Sequence, residues 1–142
     1  MARLNAFKVN ASAIESGEWI KPGEEYDDLE IKTRGYTDSY FDAQAQRMRR
    51  AALPFNGDIN KVPVAVARDI RIECLIKHML LDVRGLVDDA GAPVTFDAFC
   101  GLLRDPNYGQ LAVACMTAAA LVGRLSAQDR ADASGNFAAP SA

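Results

Sequence analysis

The only histidine, His78, follows Cys74 by four residues, so on a helix the two side chains point the same way and offer two metal ligands. A zinc site needs about four. Cys100 and Cys115 would have to supply the rest without the paired short spacing that marks such sites, so these residues read as structural. Any Ser-His or Cys-His nucleophile would also have to use His78, and no local nucleophile motif accompanies it. Glu30-Ile31-Lys32 has the acid-x-Lys order that metal-dependent nucleases place on a strand. Its further acidic ligand would come from Glu15, Glu18, Glu24, Glu25, Asp27 or Asp28, which mostly crowd the preceding turn. Alternation of apolar Leu29 and Ile31 with solvent-facing Glu30 and Lys32 accounts for the stretch without a metal. Gly17 and Gly23, or Gly85 and Gly91, lack the strand-to-helix setting and terminal Lys-Ser/Thr of a phosphate loop. The reading is a non-enzyme with no catalytic residue, metal ligand or cofactor.

Composition bounds the remaining classes. A chain of 142 residues fits one domain, and 49% hydrophobic with 25% charged residues is ordinary for a soluble globular protein. The net charge of -3 and a pI near 5.1 argue against nucleic acid as the main partner. Neither a secretory signal nor a membrane span is expected, which suggests a cytoplasmic protein. Three widely spaced cysteines among apolar neighbours fit buried thiols in a reducing compartment.

The expected organisation is a loosely ordered, extended segment 1–16, a single globular domain 17–131 and a flexible tail 132–142. Trp19-Ile20, a turn at Lys21-Pro22-Gly23-Glu24, and Leu29 to Thr33 predict a β-hairpin. Thr37 or Asp38 can cap a helix through Arg50 or beyond, with Phe41, Ala45, Met48 and Ala52 as its apolar face. Arg47, Arg49 and Arg50 fall in its last turns, where the helix dipole favours cations; a polyanion site is the alternative. Pro54 to Asp58 predicts a loop, and a long central helix follows from Pro63 to Asp82, with Val66, Ile70, Cys74, Leu75, Met79, Leu80 and Val83 on a broad apolar face. Leu86-Val87 and Val94 suggest a tiny second hairpin. Thr95 caps a short helix to Leu103, and Asp105-Pro106 starts the last one, which runs to Leu125. The fold class is α+β, mainly α, with the N-terminal hairpin packed on about four helices.

Leu111 to Gly123 carries no charge, so this last helix must be covered, either within the domain or at a subunit interface. A homo-oligomer is the second of those options.

Several stretches together resemble one family. They are Gly17-Glu18-Trp19-Ile20, the apolar-basic strand Leu29-Glu30-Ile31-Lys32-Thr33-Arg34, the Gln- and Arg-rich helix after it, Ile72 through Phe96, and Leu102-Leu103-Arg104-Asp105-Pro106. Residues 15–136 are similar to the tail assembly chaperones of long-tailed bacteriophages (siphophage type). The resemblance implies a viral, non-virion protein in the cytoplasm of the infected bacterium. Such a protein binds the tape measure protein, keeps it soluble and recruits the major tail tube protein. It also implies that a longer frameshifted form can accompany this chain. The family has no catalytic residues to transfer.

A chaperone of an amphipathic helix needs an apolar groove lined by adaptable side chains. Trp19, Phe41 and Met48 are the partner-binding candidates, with the hairpin as one wall beside the first helix; for Trp19 a core anchor is the competing reading. The other function classes are a phage-encoded inhibitor or regulator that binds one protein partner, such as one that blocks tail assembly, and a DNA-binding module built on Arg47, Arg49 and Arg50. Nucleic acid and membrane are the partners least expected.

Overall fold

A computed structural model describes residues 1–124; the expected tail 132–142 and the end of the expected domain, 125–131, lie outside them. The described residues form an α+β, mainly α fold. Three strands, β1 (Glu18–Ile20), β2 (Glu30–Thr33) and β3 (Leu80–Arg84), make an antiparallel sheet in the order β1-β2-β3. The expected hairpin is there, with Trp19 opposite Lys32 and Ile20 opposite Ile31. A 3-10 turn at Glu24–Tyr26 lengthens its loop.

β3 is a correction. The helix expected to run to Asp82 stops at His78, and Leu80 to Arg84 pair with β2 instead. A run such as Leu80-Leu81-Asp82-Val83 suits either period. Pairing decides it, because β2 would otherwise leave one edge of backbone donors and acceptors unmatched. The ladder places Ile31 opposite Val83 and Thr33 opposite Leu80, with an irregularity between Lys32 and Thr33. As the middle strand, β2 is covered on both faces, so Glu30 is fully buried rather than solvent-facing.

Five α-helices accompany the sheet: α1 (Ala11–Ser16), α2 (Asp38–Ala51), α3 (Val64–His78), α4 (Phe96–Leu103) and α5 (Gly109–Leu121). α1 departs from the extended segment expected over residues 1–16. Asn10 caps it by accepting from the Ala13 amide, and two long-range backbone bonds fix it: Asn10 N–H to Gly123 O and Gly35 N–H to Ile14 O. Gly123, at φ +78, lies so close to Asn10 and Ile14 that a Cβ there would meet the Asn10 carbonyl at 2.8 Å. Thr37 and Thr95 cap α2 and α4 as expected. Pro63 stands just before α3 rather than as its first residue. Asp105-Pro106 opens a 3-10 turn, Pro106–Tyr108, before α5 begins, and α5 ends at Leu121 rather than Leu125. The small second hairpin survives as a single bridge between Val87 and Pro93.

α5 packs against β1, β2 and α4, burying Ala112, Ala114, Cys115, Ala118 and Ala119. Its small side chains let the helix sit close to the sheet, so the charge-free run is largely covered by its own domain. Ile20, Ile31, Leu75, Met79, Phe99 and Leu103 fill the same core.

α2 and α3 form an antiparallel arm. Ser39 in the first turn of α2 meets the His78 ring at the end of α3, at 3.1 Å from Oγ to Nδ1. Arg34 donates to the carbonyls of His78 and Met79 at the same root. The arm's far end is therefore the connection between Ala51 and Val64, about 20 Å from the root at 1.5 Å per helical residue.

Candidate functional site

Each chemical group singled out in the sequence has a structural position. Cys74 is buried and His78 is tied to Ser39, and among the described residues no group of three His, Cys, Asp or Glu side chains could hold a metal ion. Among the described residues no carboxylate bonds the His78 ring, so nothing orients it as the base of a nucleophile pair. Burial pushes the Cys74, Cys100 and Cys115 thiols up, which disfavours the reactive thiolate.

Glu30 belongs to an ion pair. Arg84 donates to its Oε2 from Nη2 at 2.8 Å and from Nε at 3.2 Å. The same guanidinium lies over the Trp19 ring at 3.9 Å from the centroid. Lys21 Nζ stands 3.9 Å from Oε1, which has no hydrogen-bond partner among the described residues. Trp19, Arg84 and Glu30 thus cross-link the three strands. This is a strand clamp, and it uses Glu30 of the acid-x-Lys stretch without Lys32.

The three partner-binding candidates do not form one wall. Trp19 is half-buried under Arg84 on β1. α2 packs principally on α3 rather than beside the hairpin, which corrects the expected arrangement. The buried face of α2 is also rotated by one residue: Tyr40 is buried, Ala43, Arg47 and Ala51 are partly covered, and Phe41 and Ala45 are exposed. Tyr36, Tyr40 and Phe41 form an aromatic cluster at the arm's root, with centroids 5.3–5.9 Å apart, and this cluster selects the rotation. Tyr40 turns inward and its phenol is pushed up to about 12 by desolvation, while Phe41 stacks from outside. Met48 is half-buried.

Beside a cleft of about 410 Å³ along Leu86, Val87, Val94, Tyr108 and Leu111, two surfaces among the described residues could take a partner. One is a groove of about 260 Å³ between α3, α4 and α5, with Ile72, Leu103, Ala112, Val113 and Met116 as floor. On its rim Arg104 is held by Glu73 at 2.6 Å, and Arg68, Asp69, Arg71 and Asp105 also line it. That ion pair holds the Glu73 carboxyl below the usual carboxylate range.

The other surface is the outer end of the arm. Leu53 is 71% exposed, Val64 82% and Ile59 47%; Val66 is also exposed but, two residues along α3 from Val64, points from another face. Two 3-10 turns, Leu53–Phe55 and Ile59–Lys61, carry the chain from α2 to α3 and bury only Ala52 and Val62 beneath them. Asn56 and Gly57, both at positive φ, force the reversal between those turns. The remaining apolar side chains have nowhere inward to go. Where Pro54 to Asp58 predict a plain loop, the chain makes two 3-10 turns, and the signal for a surface is the density of apolar residues on both sides of it.

Among the described residues, no helix is long and apolar enough to cross a membrane. Comparison of the chain with family models, with curated proteins and with solved structures finds no match.

Proposed function

We propose that this chain is an assembly chaperone that holds a helical protein partner on the outer end of its two-helix arm. The observation that carries this reading is the exposure of Leu53, Ile59 and Val64 at the end of a capped two-helix scaffold. Large apolar side chains grouped on a folded surface cost solubility and mark contact sites. A helix laid across them would bury its apolar stripe as helix-in-groove complexes do. The resemblance to the tail assembly chaperones of long-tailed phages supplies the partner: the tape measure protein, with the major tail tube protein recruited afterwards. The setting is then the cytoplasm of the infected bacterium, outside the mature virion.

The buried clamp and high-pKa thiols support a binding role over catalysis. Affinity purification of the tagged chain from bacteria assembling the corresponding tails tests the reading, with co-purifying proteins identified and counted by mass. A very long helical protein carrying many copies of the chain, together with tube subunits, is the expected result. A single protein at one-to-one ratio would replace the chaperone by an inhibitor of one defined target.

A further inference from the structure

Charge is segregated along this molecule. Residues 47–68 carry Arg47, Arg49, Arg50, Lys61 and Arg68 against the single Asp58, a formal +4 in a chain whose total is -3. Glu24, Glu25, Asp27 and Asp28 lie on the β1–β2 loop, at the Glu30 end of the sheet, whereas the arm leaves from the Thr33 end. The cations therefore flank the exposed apolar residues along the chain and are remote from the main acidic cluster. Arg49, Arg50, Lys61 and Arg68 are exposed and have no ion pair among the described residues.

Helix C-terminal placement explains Arg49 and Arg50 through the dipole. It explains neither Lys61, in a 3-10 turn, nor Arg68, past the first turn of α3. Lys61 stands in sequence between Ile59 and Val64, and Arg68, one turn along α3 from Val64, borders both that surface and the α3–α4–α5 groove.

We infer that the outer end of the arm selects an acidic amphipathic helix: a partner segment whose apolar stripe covers Leu53, Ile59 and Val64 while flanking carboxylates meet Arg49, Arg50, Lys61 and Arg68. The inference rests on the helix-binding reading and names the chemistry of the partner. Complementary charge around an apolar centre sets encounter rate and register, and the apolar contacts hold the complex. Protein fits better than nucleic acid or an anionic membrane, because the rest of the chain carries -7 and would be repelled by an extended polyanion. The acidic loop of a second copy offers charge without exposed large apolar side chains, since its Tyr26 is partly covered.

The test uses the full chain and two synthetic helical peptides of about 20 residues, identical in their leucine stripe but carrying Glu or Lys on the opposite face, with binding read by fluorescence anisotropy. The Glu peptide should bind, about tenfold or more tightly than its Lys twin, and more weakly as salt rises. Arg49→Glu with Arg50→Glu should cost about tenfold, and Leu53→Asp a similar loss. Glu24→Gln with Glu25→Gln should leave affinity unchanged. If Leu53→Asp lowers the melting temperature, the arginine pair, exposed on the helix surface, decides.

Equal binding of the two peptides, or no effect of the arginine pair, overturns the inference. So does tighter binding of a DNA duplex or of phosphatidylserine vesicles through the same arginines. Concentration-dependent self-association in sedimentation, abolished by Leu53→Asp, would make a second copy the occupant and overturn it too. If the Glu peptide binds as described but purification recovers no long helical protein, the chaperone role falls and the acidic docking surface stands. If the long protein is recovered equally with the arginine pair reversed, this inference alone falls.

Discussion

The sheet and the outer end of the α2–α3 arm treat charge and apolar surface in opposite ways. In the sheet, Glu30 is buried against Arg84, Arg84 lies on Trp19, and Ile20 and Ile31 are covered. At the end of the arm, four cations have no ion pair among the described residues and Leu53 and Val64 face solvent. A buried charge is tolerated only when its partner is fixed, so the sheet is committed to stability. Exposed apolar groups beside free cations add little to folding, which leaves the arm's end available for contact.

Breaking the clamp should have the largest effect. Arg84→Ala leaves the Glu30 carboxylate buried without its main partner and should cost about 3 kcal/mol in urea unfolding. Replacing Glu30 and Arg84 together by leucine should recover most of that loss; a double variant no better than the single would show that the charge itself is not the cause. At the arm's root, Thr37→Ala removes the side chain that accepts from the Tyr40 amide and should cost about 1 kcal/mol. Alkali sharpens the same region. The Tyr40 phenol, ordinarily near 10.0, is pushed up to about 12, so the unfolded chain loses its proton first. Stability should then fall as pH rises from about 10 to about 12, and Tyr40→Phe should flatten that fall. An unchanged slope in Tyr40→Phe would assign the loss elsewhere. At the end of the arm, Leu53→Ser should change stability by less than about 0.5 kcal/mol while weakening partner binding. A large loss of stability there would move Leu53 into the core and erase the contrast.

What the sequence made legible was local. The caps at Thr37 and Thr95 are decided within a few residues and appear where expected, whereas the hairpin loop is lengthened by the turn at Glu24–Tyr26 and Asp105-Pro106 opens a 3-10 turn rather than α5 itself. β3 was illegible because Leu80 to Arg84 become a strand only through pairing with residues about 50 positions earlier. The burial of Glu30 was hidden for the same reason: alternation assumes one wet face, and a middle strand under α5 has none. For α2 the periodicity was read correctly and its phase was not, since the Tyr36–Tyr40–Phe41 contacts set the rotation. Trp19 was singled out and proved to be part of the clamp. Phe41 and Met48 lie on α2 but share no wall with Trp19, and the exposed Leu53, Ile59 and Val64 beyond them are hidden wherever loops are taken as polar.

The most direct test of the arm's role is amide hydrogen exchange on the chain alone and on the complex purified with its helical partner. The account predicts that new protection concentrates between Arg49 and Arg68, with the sheet amides slow in both states. Protection centred instead on the groove lined by Ile72, Leu103, Val113 and Met116, with residues 49–68 unchanged, would contradict it.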